Sequence, residues 1–280
     1  MPLFRLMIAS FLVFALVSCG GGEGGGGTPA TTAAVTTAVD TGTRIASSIR
    51  STQTGIGYDL KIWLPPGYAQ GTASFPVVYA MDCEYRFDTL VSVVQQPTVT
   101  GGAGVILVNV CAGDSARRWV DFTMPGASAY FRFLTLELIP LIDASYRTNP
   151  GNRILSGHSL SGEFAMYALY LENPASRFFT SIVSEECSCW YDASMGFSQQ
   201  LAQPIAMEQA MYAASHRLPI NLVMAGDYLS NERSVLAVYG VIANRNYQDL
   251  RLIQPIYSLG HVPMDGPAFS DALKFIFTKS

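Results

Sequence analysis

The run Gly157-His158-Ser159-Leu160-Ser161-Gly162 has the residue types for nucleophilic catalysis by a serine hydroxyl. Ile154 and Leu155 make a short apolar run that Gly157 breaks, and from Leu160 onward Phe164, Ala165, Tyr167 and Ala168 fall at helical spacing. Strand, sharp turn and helix in that order match a nucleophile elbow of the G-x-S-x-G kind, which holds its serine in a strained backbone conformation above a sheet edge. Ser159 is the expected nucleophile. The pattern departs from the strict motif: Ser161 stands where the second glycine belongs, and Gly162 follows one place late.

A serine hydroxyl is a poor nucleophile at neutral pH and needs a positioned base to accept its proton, most often histidine. The chain has three histidines. His158 adjoins Ser159, where its side chain should point away from the nucleophile and pack in the core. His216 lies late in a helical pattern and reads as a solvated helix end. His261, in Gly260-His261-Val262-Pro263 beyond the last strand pattern, is the expected base. An acid must then orient that base, in the chain order Ser, acid, His. Asp227, directly after the strand pattern Ile220 to Ala225, is the first choice, with Glu232 next. Glu185, Glu186 and Asp192 form a third, earlier group of carboxylates. The oxyanion formed on attack calls for two N–H donors, and the amide of Leu160, next to the nucleophile, is one candidate.

These residues need a scaffold that brings loops together. Strand patterns run from Arg44 to Arg50, Tyr58 to Leu64, Phe75 to Met81, Val105 to Val110, Arg153 to Ser156, Thr180 to Ser184, Ile220 to Ala225 and Arg251 to Tyr257. Helical patterns lie near Phe87 to Gln95, Phe131 to Tyr146, Ser159 to Glu172, Met207 to His216, Glu232 to Asn244 and Phe269 to Phe277. Pro140 should kink the second of these. This alternation predicts a largely parallel sheet covered by helices. Nearly half of the chain is hydrophobic and 14% is charged, which suits one domain with a sizeable core over residues 43–280. A net charge of −4 without a basic run gives no support to nucleic-acid binding.

Residues 1–18 carry Arg5, then an apolar run from Leu6 to Val17 that is too short to span a bilayer. They read as an export signal ending in Leu16-Val17-Ser18-Cys19, similar to a bacterial lipobox in which Cys19 is lipidated. Residues 19–42 are rich in Gly, Thr and Ala, with little to bury, and read as a flexible tether. The expected location is the cell envelope, with the lipid on Cys19 as the membrane contact. In a Gram-negative source this would be the outer membrane, facing the periplasm.

Four blocks, FPVVYAMDCEYRF, RRWVDFTMP, FLTLELIPLIDASYRT and ILSGHSLSGEFAMYALYLENP, with a weaker fifth, SLGHVPMDGPAF, resemble the putative-esterase family of α/β hydrolases. That family includes siderophore esterases, S-formylglutathione hydrolases, feruloyl and acetyl esterases and mycolyltransferases, and the siderophore-esterase-like branch looks nearest. The resemblance spans about Tyr58 to Phe277. It implies an α/β-hydrolase fold, a mostly parallel eight-stranded sheet with helices on both faces, and a serine esterase with a Ser159, His261 and Asp227 triad. It implies no cofactor and a small-molecule ester as substrate, and C-x-C with two scattered cysteines lacks the usual spacing of metal ligands, so no metal is expected. Met81-Asp82-Cys83-Glu84 resembles the family's oxyanion segment and makes the Cys83 amide the second candidate donor. Arg118 and Asp121 match an R-x-x-D pattern, read as substrate binding by Arg118 or as a loop-bracing ion pair between the two. Trp190 matches a tryptophan near the family's pocket wall.

Apart from Cys19, the cysteines Cys83, Cys111, Cys187 and Cys189 fall just past the expected ends of strands three, four and six. In an oxidising envelope they suggest one or two disulfides, with three complete pairings open. Two other functions stay open beside ester hydrolysis: acyl transfer to another alcohol through the same acyl-enzyme, and a non-catalytic surface lipoprotein that uses the pocket for binding.

Overall fold

The structure is a computed structural model that describes residues 41–189 and 202–278. Among the described residues nine strands form a mixed sheet: β1 (Thr43–Arg50), β2 (Gly57–Leu64), β3 (Phe75–Met81), β4 (Ile106–Val110), β5 (Thr148–His158), β6 (Ser181–Glu185), β7 (Asn221–Asp227), β8 (Arg251–Ile253) and β9 (Ile256–Tyr257). Their order is β1-β2-β4-β3-β5-β6-β7-β8, with β9 also paired to β7. The β1–β2 and β2–β4 pairs are antiparallel and the remaining pairs parallel. The eight-strand expectation is corrected at the end of the sheet, where the run Arg251 to Tyr257 divides at Gln254 and Pro255 into two short strands. Proline has no N–H to give to a ladder, which accounts for the break.

The central strands are buried along both faces, as parallel strands between helical layers must be. Alternation along β3 assigns the faces: Val77, Tyr79 and Met81 join one core, and Val78 and Ala80 the other. The second core is closed by α1 (Cys83–Val94), α2 (Pro97–Thr100) and α9 (Asp265–Phe277), through Phe87, Leu90, Val99, Phe269 and Leu273. The first and larger core is closed by α3 (Ser115–Phe122), α4 (Gly126–Phe133), α5 (Ile139–Ser145), α6 (Leu160–Leu171), α7 (Ala202–Ala214) and α8 (Glu232–Ala243). Helix α6 is buried on nearly every side and lies against the middle of the sheet, which suits its almost wholly apolar sequence.

The kink expected from Pro140 takes a definite form. A π-helical turn, Leu134–Leu138, separates α4 from α5, and Pro140 sits in the first turn of α5. There its missing N–H is one of the first-turn donors that have no partner within α5.

Candidate active site

The site lies at the C-terminal edge of the sheet, where β3, β5, β6, β7 and β9 hand over to loops and helices. Ser159 follows β5 at φ 62°, ψ −120°, a region an L-residue occupies only when its surroundings force it. Three features hold it there. Ser159 N–H donates to the Glu185 carbonyl at 2.8 Å, and the Ser159 carbonyl accepts from Ser188 N–H at 3.0 Å. On the other side, a Cβ on Gly157 would stand 2.0 Å from the Ser161 carbonyl oxygen, so only glycine allows strand and helix to close this tightly.

The departures from the strict motif have a physical account. Ser161 turns its hydroxyl inward, accepting from His158 N–H at 2.9 Å and donating to Asp82 Oδ2 at 2.7 Å. Gly162 packs against the neighbouring strand: a Cβ there would be 2.6 Å from the Glu185 carbonyl oxygen. The late glycine therefore serves helix-to-strand contact, and the serine replaces the missing glycine with a bond across to the end of β3.

His261 lies between β9 and α9. Its Nδ1 is 2.9 Å from Glu186 Oε2 and 3.2 Å from Ser230 Oγ. Burial pushes the Glu186 carboxyl up, but bonds from His261, Ser230 and the amides of Asp227 and Asn231 outweigh it and hold the group below the usual carboxylate range. An ionised carboxylate only accepts, so Nδ1 carries the proton and Nε2 is left as the basic nitrogen. Glu186, at φ 50°, follows the last residue of β6, and this turn directs it at the imidazole.

Asp227, the acid expected from sequence, does not hold the His261 ring. Its carboxylate is taken by main-chain donors: Leu229 N–H on Oδ1 at 2.9 Å, and Leu259 and Gly260 N–H on Oδ2 at 2.7 and 2.9 Å. Burial raises its pKa, and these three amides more than reverse that shift. Asp227 thus ties the loop carrying His261 to the loop after β7. Glu232 begins α8. The acid group after β6 was visible in the sequence as Glu185-Glu186-Asp192, yet chain position alone favoured Asp227.

His261 is braced from behind. His158 is buried, and burial pushes its imidazole down to about 4, so it is neutral. Its Nε2–H donates to the His261 carbonyl at 2.7 Å, and the two rings lie 4.7 Å apart. The expected packed histidine thus also supports the main chain at His261. Beneath, Arg86 binds Asp265 through Nε and Nη2, Ser156 through Nη2 at 3.2 Å, and the Glu185 carboxyl. Since α1, β5, β6 and α9 supply these groups, the cluster locks the start of α9 to the sheet. Nothing in the sequence pattern marked Arg86 or Asp265.

Leu160 opens α6 and Cys83 opens α1, on the adjacent parallel strands β5 and β3. First-turn N–H groups have no partner within their own helix, so both amides are of the kind an oxyanion needs. Arg118 is bound to Asp82 through Nε at 2.7 Å and Nη2 at 2.9 Å, while Arg117 holds Asp121. The expected Arg118 and Asp121 pair is corrected: Arg117, four residues before Asp121 on α3, takes that carboxylate, and the Arg118 guanidinium is occupied by Asp82 at the end of β3, where it braces the loop. The cysteines pair as Cys83 with Cys111 and Cys187 with Cys189. The second bridge presents Ser188, whose Oγ is 3.3 Å from Ser159 Oγ. A cavity of about 510 Å³ gathers Asp82, Arg118, His158, Ser159, His261 and Asp265 on its walls. Trp190, Asp192 and Cys19 lie outside the described residues.

A family model described as Putative esterase matches residues 51–232, more than half of the 280-residue chain. The chain belongs to that esterase family. The ferri-bacillibactin esterase BesA of Bacillus subtilis is 28% identical over 160 residues, which cover 48% of this chain and 54% of that protein. The chain therefore spans about half the length of this curated relative. An IroE-like serine hydrolase from Shewanella oneidensis superposes with a TM-score of 0.70 at 23% identity, over 84% of this chain and 80% of that one. The BES protein from Bacillus cereus gives a TM-score of 0.70 at 20% identity, over 90% and 100%. These structural likenesses, with the mixed sheet and its two helical layers, show the α/β-hydrolase fold that the esterase family implies.

Proposed function

We propose that this chain hydrolyses small-molecule carboxylic esters through an acyl-enzyme on Ser159. The observation that carries the reading is the strained Ser159 elbow sharing one cavity with His261, whose Nδ1 is fixed by Glu186 at 2.9 Å. His261 Nε2 takes the Ser159 proton as Oγ attacks the ester carbonyl carbon. The amides of Leu160 and Cys83 receive the resulting oxyanion. As the carbon–oxygen bond to the alcohol breaks, His261 returns the proton to the leaving oxygen. Water then repeats the sequence on the acyl group and frees Ser159. Glu186 steadies the imidazolium in both halves. The relative's named substrate makes a siderophore ester the first natural candidate to assay.

Turnover of p-nitrophenyl acetate tests this reading. Ser159→Ala and His261→Ala should each remove it, and turnover retained by both would overturn the assignment. Lipidation of Cys19 and attachment to the cell envelope are proposed on the Leu16-Val17-Ser18-Cys19 sequence alone. Mass analysis of the N-terminal peptide checks them, with a diacylglyceryl cysteine expected.

A further inference from the structure

We infer that Ser188 is a further catalytic residue, whose hydroxyl donates to Ser159 Oγ and speeds release of the acyl group. This rests on the hydrolase reading above. Ser188 Oγ is 3.3 Å from Ser159 Oγ, and among the described residues this is the hydrogen bond that the nucleophile's hydroxyl makes. Ser188 also grips the main chain of the elbow, since its N–H donates to the Ser159 carbonyl at 3.0 Å. The disulfide between the buried Cys187 and Cys189 closes a ring around it. The stretch from Glu185 to Ser188 thus meets Ser159 at its N–H, its carbonyl and its hydroxyl, and presents Glu186 to His261. Ser188 is 5% exposed, so water competes little for its hydroxyl. A polar group fixed in this way is already in place when charge develops on the oxygen it touches.

The chemistry decides which hydroxyl gives the proton and which step gains. A serine hydroxyl has one hydrogen, and that of Ser159 passes to His261 Nε2, so the hydrogen between the two serines is the one on Ser188. During acylation Ser159 Oγ attacks, and a donor on it draws on the electron pair that forms the new bond. Ser188 therefore gives no gain in that step. During deacylation the same Oγ is the ester oxygen of the acyl-enzyme. Water adds to the acyl carbon as His261 takes its proton. The bond from that carbon to Oγ then breaks, its electron pair stays on Oγ, and the proton on His261 Nε2 moves there. A donor to Oγ makes the acyl carbon more electrophilic toward water and stabilises the charge that gathers on the departing oxygen.

The test is p-nitrophenyl acetate turnover by the full chain carrying Ser188→Ala, Ser188→Val or Ser188→Thr, with thermal unfolding as the check on folding. For this activated ester kcat/KM reports acylation, and kcat reports deacylation once that step is the slower. Ser188→Ala and Ser188→Val should lower kcat about fivefold or more while kcat/KM stays within about twofold of the wild type. Acid quenching during turnover, followed by peptide mass mapping, should show acetylated Ser159 at a higher fraction in both variants than in the wild type. Ser188→Thr keeps the hydroxyl and should hold kcat within about twofold of the wild type. If the alanine variant fails to fold, valine against threonine carries the comparison, since the two are alike in shape and differ in the hydroxyl. A kcat that is unchanged or raised without the hydroxyl overturns the inference. So does a fall in kcat that kcat/KM matches, or one that threonine shares in full. A wild-type protein that leaves p-nitrophenyl acetate intact removes the hydrolase reading itself, which is a separate result.

Discussion

At the scale of single residues, two acids near one histidine have different roles. Glu186 faces the ring, and Asp227 faces the main chain around it. Glu186→Gln should lower kcat by about 10²–10⁴-fold with a smaller change in KM, since it removes the charge that orients and stabilises the imidazolium. Asp227→Asn replaces one amide acceptor by an N–H₂ group that opposes backbone donors. It should lower the melting temperature and weaken kcat less than Glu186→Gln, as steady-state kinetics and thermal unfolding would show. His158 gives a pH signature. Its folded value, about 4, lies below the ordinary histidine value of roughly 6.5, so in between the unfolded chain binds more protons than the folded one. The stability from this group is complete above the unfolded value and is lost as pH falls toward the folded one, at a slope of up to about 1.4 kcal/mol per pH unit. Urea unfolding at about pH 7 and pH 4.5 should show that drop. It should be shallower in His158→Gln, which keeps an N–H donor without a titrating ring.

At the scale of elements, the elbow was legible because it is local: strand, glycine, serine and helix are consecutive, and each states its own conformational demand. Gly157→Ala should both destabilise the chain, by about 1–3 kcal/mol, and abolish ester turnover, because the Ser161 carbonyl oxygen stands where the methyl group must go. Denaturant unfolding and an activity assay check the two effects together. The place of His261, on a loop beyond the last parallel strands, was legible from the order of strand patterns. The acid was not, because the choice depends on how two loops turn after parallel strands. A positive φ at Glu186 and three amides converging on Asp227 are tertiary facts with no periodic signature. The same holds for Arg118, whose partner Asp82 is 36 residues away.

At the scale of the whole molecule, alternation of apolar runs conveyed the layered sheet and most strand positions. The division of the last strand at Pro255, the antiparallel edge, the early start of β5 at Thr148 and the short helices α2 and α3 required coordinates. Cysteine pairing was undecidable from spacing, since pairing follows strand order, which places the ends of β3 and β4 side by side. The Cys83–Cys111 bridge closes 28 positions, and Cys187–Cys189 only two. Loop-closure entropy then ranks them: removing the first should cost about 3–4 kcal/mol and the second roughly half as much. Double serine variants of each pair, compared by denaturant unfolding, test that order.

The central claim is that Ser159 is an activated nucleophile in a triad with His261 and Glu186. Its most direct measurement is labelling of the purified protein with a fluorophosphonate probe, followed by peptide mass mapping. The expected result is one stoichiometric adduct on Ser159, lost in Ser159→Ala and strongly slowed in His261→Ala. An adduct on another residue, or labelling that survives the serine substitution, would contradict it.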